Sequence, residues 1–93
     1  MIVETLEIKL YAPWVHSLKE KRMVVSSLVH KTQSRFKLAV AEVDTQDVHQ
    51  TITIGIACVG NSEQTVSRVL DQVLDFIESS TEAEILEVIR EQR

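Results

Sequence analysis

Apolar and polar residues alternate from Ile2 to Tyr11. Leu6, Ile8 and Leu10 share one face, and Thr5, Glu7 and Lys9 the other. A period of two is the mark of a strand with one buried face. Ala12-Pro13-Trp14-Val15-His16 breaks the alternation at a proline and reads as a connecting loop. From Ser17 the spacing changes to three and four. Leu18, Val25, Leu28, Val29, Thr32 and Phe36 form the apolar stripe of a helix that ends near Lys37. Ser17 followed by Glu20 is a capping box, in which each side chain satisfies a free amide at the helix start. Lys37 falls where the exposed last carbonyls favour a cation.

Residues 38–43 make a second strand, and Asp44 to Gln50 a polar connection. Residues 51–59 make a third strand, with Ile52, Ile54, Ile56 and Cys58 on one face and Thr51, Thr53, Gly55 and Ala57 on the other. Gly60-Asn61-Ser62 turns the chain, and Asn61 with Gln64 offers a second capping box. A second helix over 62–79 has Val66, Val69, Leu70, Val73, Phe76 and Ile77 as its stripe and Asp71, Asp75 and Glu78 on its solvent flank. A last strand covers 84–90, with Ile85, Leu86, Val88 and Ile89 divided between its faces. The order β-α-β-β-α-β is the split βαβ pattern of ferredoxin-like folds. The expected architecture is α+β, one two-layer sandwich domain over 1–93, with both helices on one face of a four-stranded antiparallel sheet. The other face stays open, carrying Thr5, Thr53, Gly55 and Ala57 with Val40 or Ala41, and is less polar than a fully solvated surface. That points to homodimerisation through the open face or a sheet edge.

Charge adds a different feature. The formal net charge is -4, which argues against a general nucleic-acid coat. Yet residues 1–37 sum to +4 and the remainder to -8. Within the basic segment, Lys19, Arg22, Ser26, His30, Gln33 and Lys37 recur at steps of three and four on one flank of the first helix, with no acid among them. Such a ridge can hold phosphates with its cations while its neutral members add hydrogen bonds. The competing reading is a flank that is merely solvated, or one neutralised by Asp71, Asp75 and Glu78 of the second helix. Lys31 and Arg35 lie on the opposite flank and serve solubility. Lys21 is expected to run its stem along the core and lift its amine to water.

The single cysteine, Cys58, excludes an intrachain disulfide and fits a reducing cytoplasm. No stretch approaches the roughly 20 apolar residues of a membrane span, and the N-terminus lacks the pattern of a secretory signal. Two glycines and one proline argue against a glycine-rich phosphate loop. No cofactor motif is present.

The run Ser17-Leu18-Lys19-Glu20-Lys21-Arg22 after a proline-containing loop, Val40-Ala41-Glu42-Val43, Asp47 with Gln50, and Ile54-Gly55-Ile56-Ala57 together resemble the small bacterial YlxP-like proteins, a family of uncharacterised function. The resemblance spans nearly the whole chain. It implies a ferredoxin-like fold and a cytoplasmic protein encoded among genes of translation initiation and ribosome maturation, hence a link to RNA or a ribosomal particle. It supplies no catalytic residues. Lys37-Leu38-Ala39 stands where relatives often carry a small polar residue, which adds charge to the ridge. Val48 stands where a bulky aromatic is common, which argues against base stacking by that loop.

Other chemistry is thinner. Glu42, Asp44, Asp47 and His49 could in principle group around a divalent ion as a metal-dependent enzyme, since oxygen and imidazole ligands suit one. Glu42 and Asp44 have same-face strand spacing, but no second histidine stands at a helical ligand spacing. Cys58 alternates with isoleucines and reads as a core residue. Trp14 fits either a lid over the core or a stacking platform. The leading expectation is a non-catalytic cytoplasmic module that binds RNA or a ribosomal component through the first helix. A homodimeric protein-interaction module is the first alternative and the metal enzyme the second.

Overall fold

The computed structural model describes all 93 residues. Its elements are β1 (Ile2–Tyr11), α1 (Leu18–Phe36), β2 (Ala39–Asp44), β3 (Thr51–Gly60), α2 (Glu63–Ser80) and β4 (Glu84–Gln92). The sheet order is β2-β3-β1-β4, antiparallel throughout. This is the ferredoxin-like α+β sandwich. No helix is long and apolar enough to cross a membrane.

The alternation of β1 and β3 sets the core. Leu6, Ile8 and Leu10 pair across the ladder with Ile56, Ile54 and Ile52, and all six are buried. Val25, Leu28 and Thr32 of α1 and Val66, Leu70, Val73 and Ile77 of α2 cover them. Thr32 lies within the stripe because its hydroxyl donates to the Leu28 carbonyl at 2.7 Å, which leaves no bare polar group in the core. Cys58 is 3% exposed, as its alternation with isoleucines requires.

Helix starts follow local chemistry. Ser17 accepts from the Glu20 amide at 3.1 Å. At α2 the cap is Ser62, which accepts from the Thr65 amide at 3.4 Å, and not Asn61. One residue of register decides this, because Ser62 has the extended backbone a cap needs. At the C-terminus of α1, Lys37 takes a left-handed conformation (φ 56°) and its amide donates to the Gln33 carbonyl at 2.7 Å. That turn starts β2 one residue later than the sequence reading, at Ala39, and places Val40 in the core and Ala41 on the open face.

Two bulges shape the edge strands. Between Glu42 and Asp44 the β2–β3 register shifts, so Val43 is an extra residue. Glu42 and Asp44 therefore do not share a face by simple alternation. A second shift, at Leu86, separates the pairs Lys9–Glu87 and Leu10–Ile85.

Candidate nucleic-acid interface

All six ridge residues are exposed, Lys19, Arg22, Ser26, His30 and Gln33 on α1 and Lys37 at its left-handed C-cap. Gln33 marks the direction of the ridge: its amide nitrogen donates to the Val40 carbonyl at 3.0 Å. The ridge thus runs above the β2 edge of the sheet, and Gln33 is partly spent on that edge. On the other side of α1, Arg35 lies 5.9 Å from the Phe36 and Phe76 ring centroids, and those rings meet edge to face. Lys31 shares a surface hollow with Ser80 and Thr81. Lys31 and Arg35 therefore face α2, and the ridge faces away from it.

Of the two competing readings of the ridge, this arrangement disfavours neutralisation by α2. Asp71 turns to the far side, where its Oδ1 accepts from Arg90 Nη1 at 2.5 Å. Asp75 lines a hollow with Arg35, and Glu78 one with Ile85 and Val88 of β4. No carboxylate lies within ion-pair distance of Lys19, Arg22 or Lys37. Furthermore, α2 ends opposite Val24 to Lys31, so the first turns of α1, with Lys19 and Arg22, project past it.

The ridge is not uniform along its length. At 1.5 Å per residue, Lys19 and Arg22 are about 4.5 Å apart along the axis, whereas Lys37 is about 22 Å beyond Arg22. The cations form one pair at the start of the helix and a single charge at its end, with His30 between.

Lys21 departs from expectation. Its side chain is 2% exposed, and the ammonium does not reach water. It donates to the Thr45 carbonyl and lies 3.0 Å from Glu42 Oε2. That oxygen makes no aligned hydrogen bond, so the second contact is Coulombic. Thr45 has a positive φ of 58°, unusual for a β-branched residue. Its hydroxyl bonds the Thr51 carbonyl at 3.1 Å and the Thr53 hydroxyl at 3.0 Å. Thr53, expected on an open surface, is buried with this bond made.

The same contacts dismantle the candidate metal cluster. Glu42 turns to Lys21, and Asp44 accepts from the Thr45 amide at 2.8 Å. Asp47 and His49 stand exposed on the loop. No three His, Cys, Asp or Glu side chains come together as a metal site. Burial first, and the Glu4 charge second, push the Cys58 thiol up, which opposes a nucleophilic role.

Two features escaped the sequence reading. Arg90, read only as the end of a strand, joins Glu4, Asp71 and Ser67 into one network. His16 and His49 line a single cleft although 33 positions separate them in the chain. Neither has a local signal, because both depend on strand register.

Comparison with known proteins agrees with the fold. A de novo designed protein, Ferredog-Diesel, matches with a TM-score of 0.55 at 13% identity, over 96% of this chain and 83% of its own. That likeness speaks for the architecture alone. The "Uncharacterized protein YlxP" of Bacillus subtilis (strain 168) is 38% identical over 68 residues, which cover 73% of this chain and 74% of the relative. The family model described as "Protein of unknown function (DUF503)" matches residues 3–90. The chain belongs to this DUF503 family, of which the YlxP-like resemblance is the same finding reached from motifs.

Proposed function

We propose that this protein is a non-catalytic module that binds RNA, or an RNA-bearing ribosomal component, through the basic flank of α1. The observation that carries the reading is the freedom of Lys19, Arg22 and Lys37. They are exposed and make no ion pair with any carboxylate. Several cations elsewhere are paired, Lys21 with Glu42, Arg90 with Asp71 and Glu4, and Lys9 with Glu87, while Arg35 lies against the Phe36 and Phe76 rings. In an acidic protein, a flank whose three cations are free of acids is the surface that best accepts phosphate, which fixes orientation. The test is cosedimentation of the purified protein with ribosomal particles at low and high salt. Comigration that is lost at high salt, and lost in Lys19→Glu/Arg22→Glu, is expected. Absence from the particle fractions at every salt concentration would refute the reading.

A second reading, a homodimer through the open sheet face, is favoured by one observation. Ala39, Ala41, Gly55 and Ala57 floor a shallow trough of about 440 Å³. Val43, Val59 and Ile89 stand exposed on the same face. Gly55 permits the shape, since a Cβ there would meet Val43 Cγ1 at 2.7 Å. Light scattering should show a dimer that Ile89→Glu dissociates. A wild-type monomer at high concentration would dismiss this reading and leave the first intact.

A further inference from the structure

Loop 12–17 and loop 45–50 meet at the end of the molecule where α1 begins. Between them lies a cleft of about 420 Å³ lined by Tyr11, Val15, His16, Val48, His49 and Gln50. We propose that this cleft receives an unpaired nucleobase of the same RNA strand whose phosphates lie on Lys19 and Arg22. The inference rests on the reading of α1 as the phosphate-binding flank and gives that site a strand preference.

The chemistry of the lining selects a flat, polar-edged ring. Tyr11, His16 and His49 bring three planar groups to one opening, and Val15 and Val48 supply apolar surface. Unpaired RNA bases are taken up in this way, by stacking on Tyr or His rings with hydrogen bonds to their edges. Both histidines are exposed, so the rings are available. Val48 offers no ring, and His49 beside it supplies the stacking surface of that loop.

One main-chain bond and one side-chain bond tie the walls of the cleft together. Ala12 N donates to the Gln50 carbonyl at 2.8 Å, and Gln50 Nε2 to the Pro13 carbonyl at 3.0 Å. The buried Lys21 anchors the 45–50 loop from the helix side through Thr45.

Continuity with the ridge identifies the occupant. His16 lies three residues before Lys19 and six before Arg22, so base cleft and cation pair occupy the same end of α1. A duplex has its bases stacked inside and cannot fill both. A free nucleotide can fill the cleft but gains only part of the cation pair. Asp47, exposed on the same loop, is the charge that opposes an incoming phosphate.

The test compares a short fluorescein-labelled single strand, the matching duplex and free AMP, by anisotropy or competition at fixed salt. Wild type should bind the strand at least tenfold more tightly than either of the others. His16→Ala/His49→Ala should lose roughly five- to a hundredfold for the strand, the usual range for removing one base stack, with an unchanged salt slope. Asp47→Asn should tighten binding. Duplex binding equal to strand binding, or His16→Ala/His49→Ala indistinguishable from wild type, would overturn the proposal. If Lys19→Glu/Arg22→Glu still abolished binding in that case, the α1 reading would survive without it. AMP binding as tightly as the strand would overturn the assignment to a strand.

Discussion

Replacing Lys21 by Met tests the least expected contact in the molecule. Methionine keeps the length and apolar stem of lysine but removes the ammonium that holds the Thr45 carbonyl and faces Glu42 at 3.0 Å. Removing one partner of a fully buried ion pair costs about 3–5 kcal/mol, chiefly through the charge left behind. Here the Glu42 side chain retains 19% exposure, so water offsets part of that loss. The expected cost is about 2–3 kcal/mol, read as a shift in urea midpoint at constant slope. For a chain of 93 residues that corresponds to roughly 8–24 °C in Tm. Lys21→Met/Glu42→Leu should recover most of the loss, because both buried charges are then gone. The double-mutant cycle isolates their coupling. A cost below about 0.5 kcal/mol for Lys21→Met, typical of surface sites, would mean that the ammonium reaches water and that Thr45 is held by other means.

Three further outcomes follow from the packing. Arg90→Met should destabilise by about 1–3 kcal/mol in the same unfolding assay, since the guanidinium has charge-assisted bonds to Asp71 and Glu4 and two to Ser67; the hydrogen bond to Asp71 is the main reason its pKa is raised. Cys58 should resist iodoacetamide in the native state at neutral pH and react on unfolding. Because the folded thiol pKa is raised, its contribution is complete below the ordinary thiol range and is lost as pH climbs through it, so an alkaline stability series should fall more steeply for wild type than for Cys58→Ala. Lys37→Gly should stabilise by about 0.5–1 kcal/mol, by removing the left-handed strain at φ 56°, while lowering RNA affinity by one phosphate contact.

What could be read in the sequence was what short-range spacing encodes. Leu6, Ile8 and Leu10 against Ile52, Ile54 and Ile56 announced the two central strands, and the Ser17–Glu20 pair announced the start of α1. Lys19, Arg22, Ser26, His30 and Gln33 on one flank of that helix were likewise legible, because helical spacing alone fixes which residues share a side, whereas Lys37 falls on the left-handed cap beyond it. Lys21 was misread because periodicity placed it at the stripe's margin, whereas the 45–50 loop closes over its amine. The bulge at Val43 broke the same-face expectation for Glu42 and Asp44, since an extra residue leaves no mark in composition. Asp71 looked free to meet the ridge until strand order put Arg90 beside it. The pairing of His16 with His49 depends on where two loops end, which only the assembled sheet decides.

The most direct measurement of the central claim is the dependence of RNA affinity on salt, for wild type and for Lys19→Glu/Arg22→Glu. With Lys19, Arg22 and Lys37 on phosphates of a single strand, log K should fall against log[salt] with a slope of about -2. The double charge reversal, leaving Lys37 alone, should bind far more weakly with a slope of about -0.7 or flatter. Wild-type affinity that does not change with salt, or a slope unaltered by reversing Lys19 and Arg22, would show that the free basic flank of α1 is not where RNA is held.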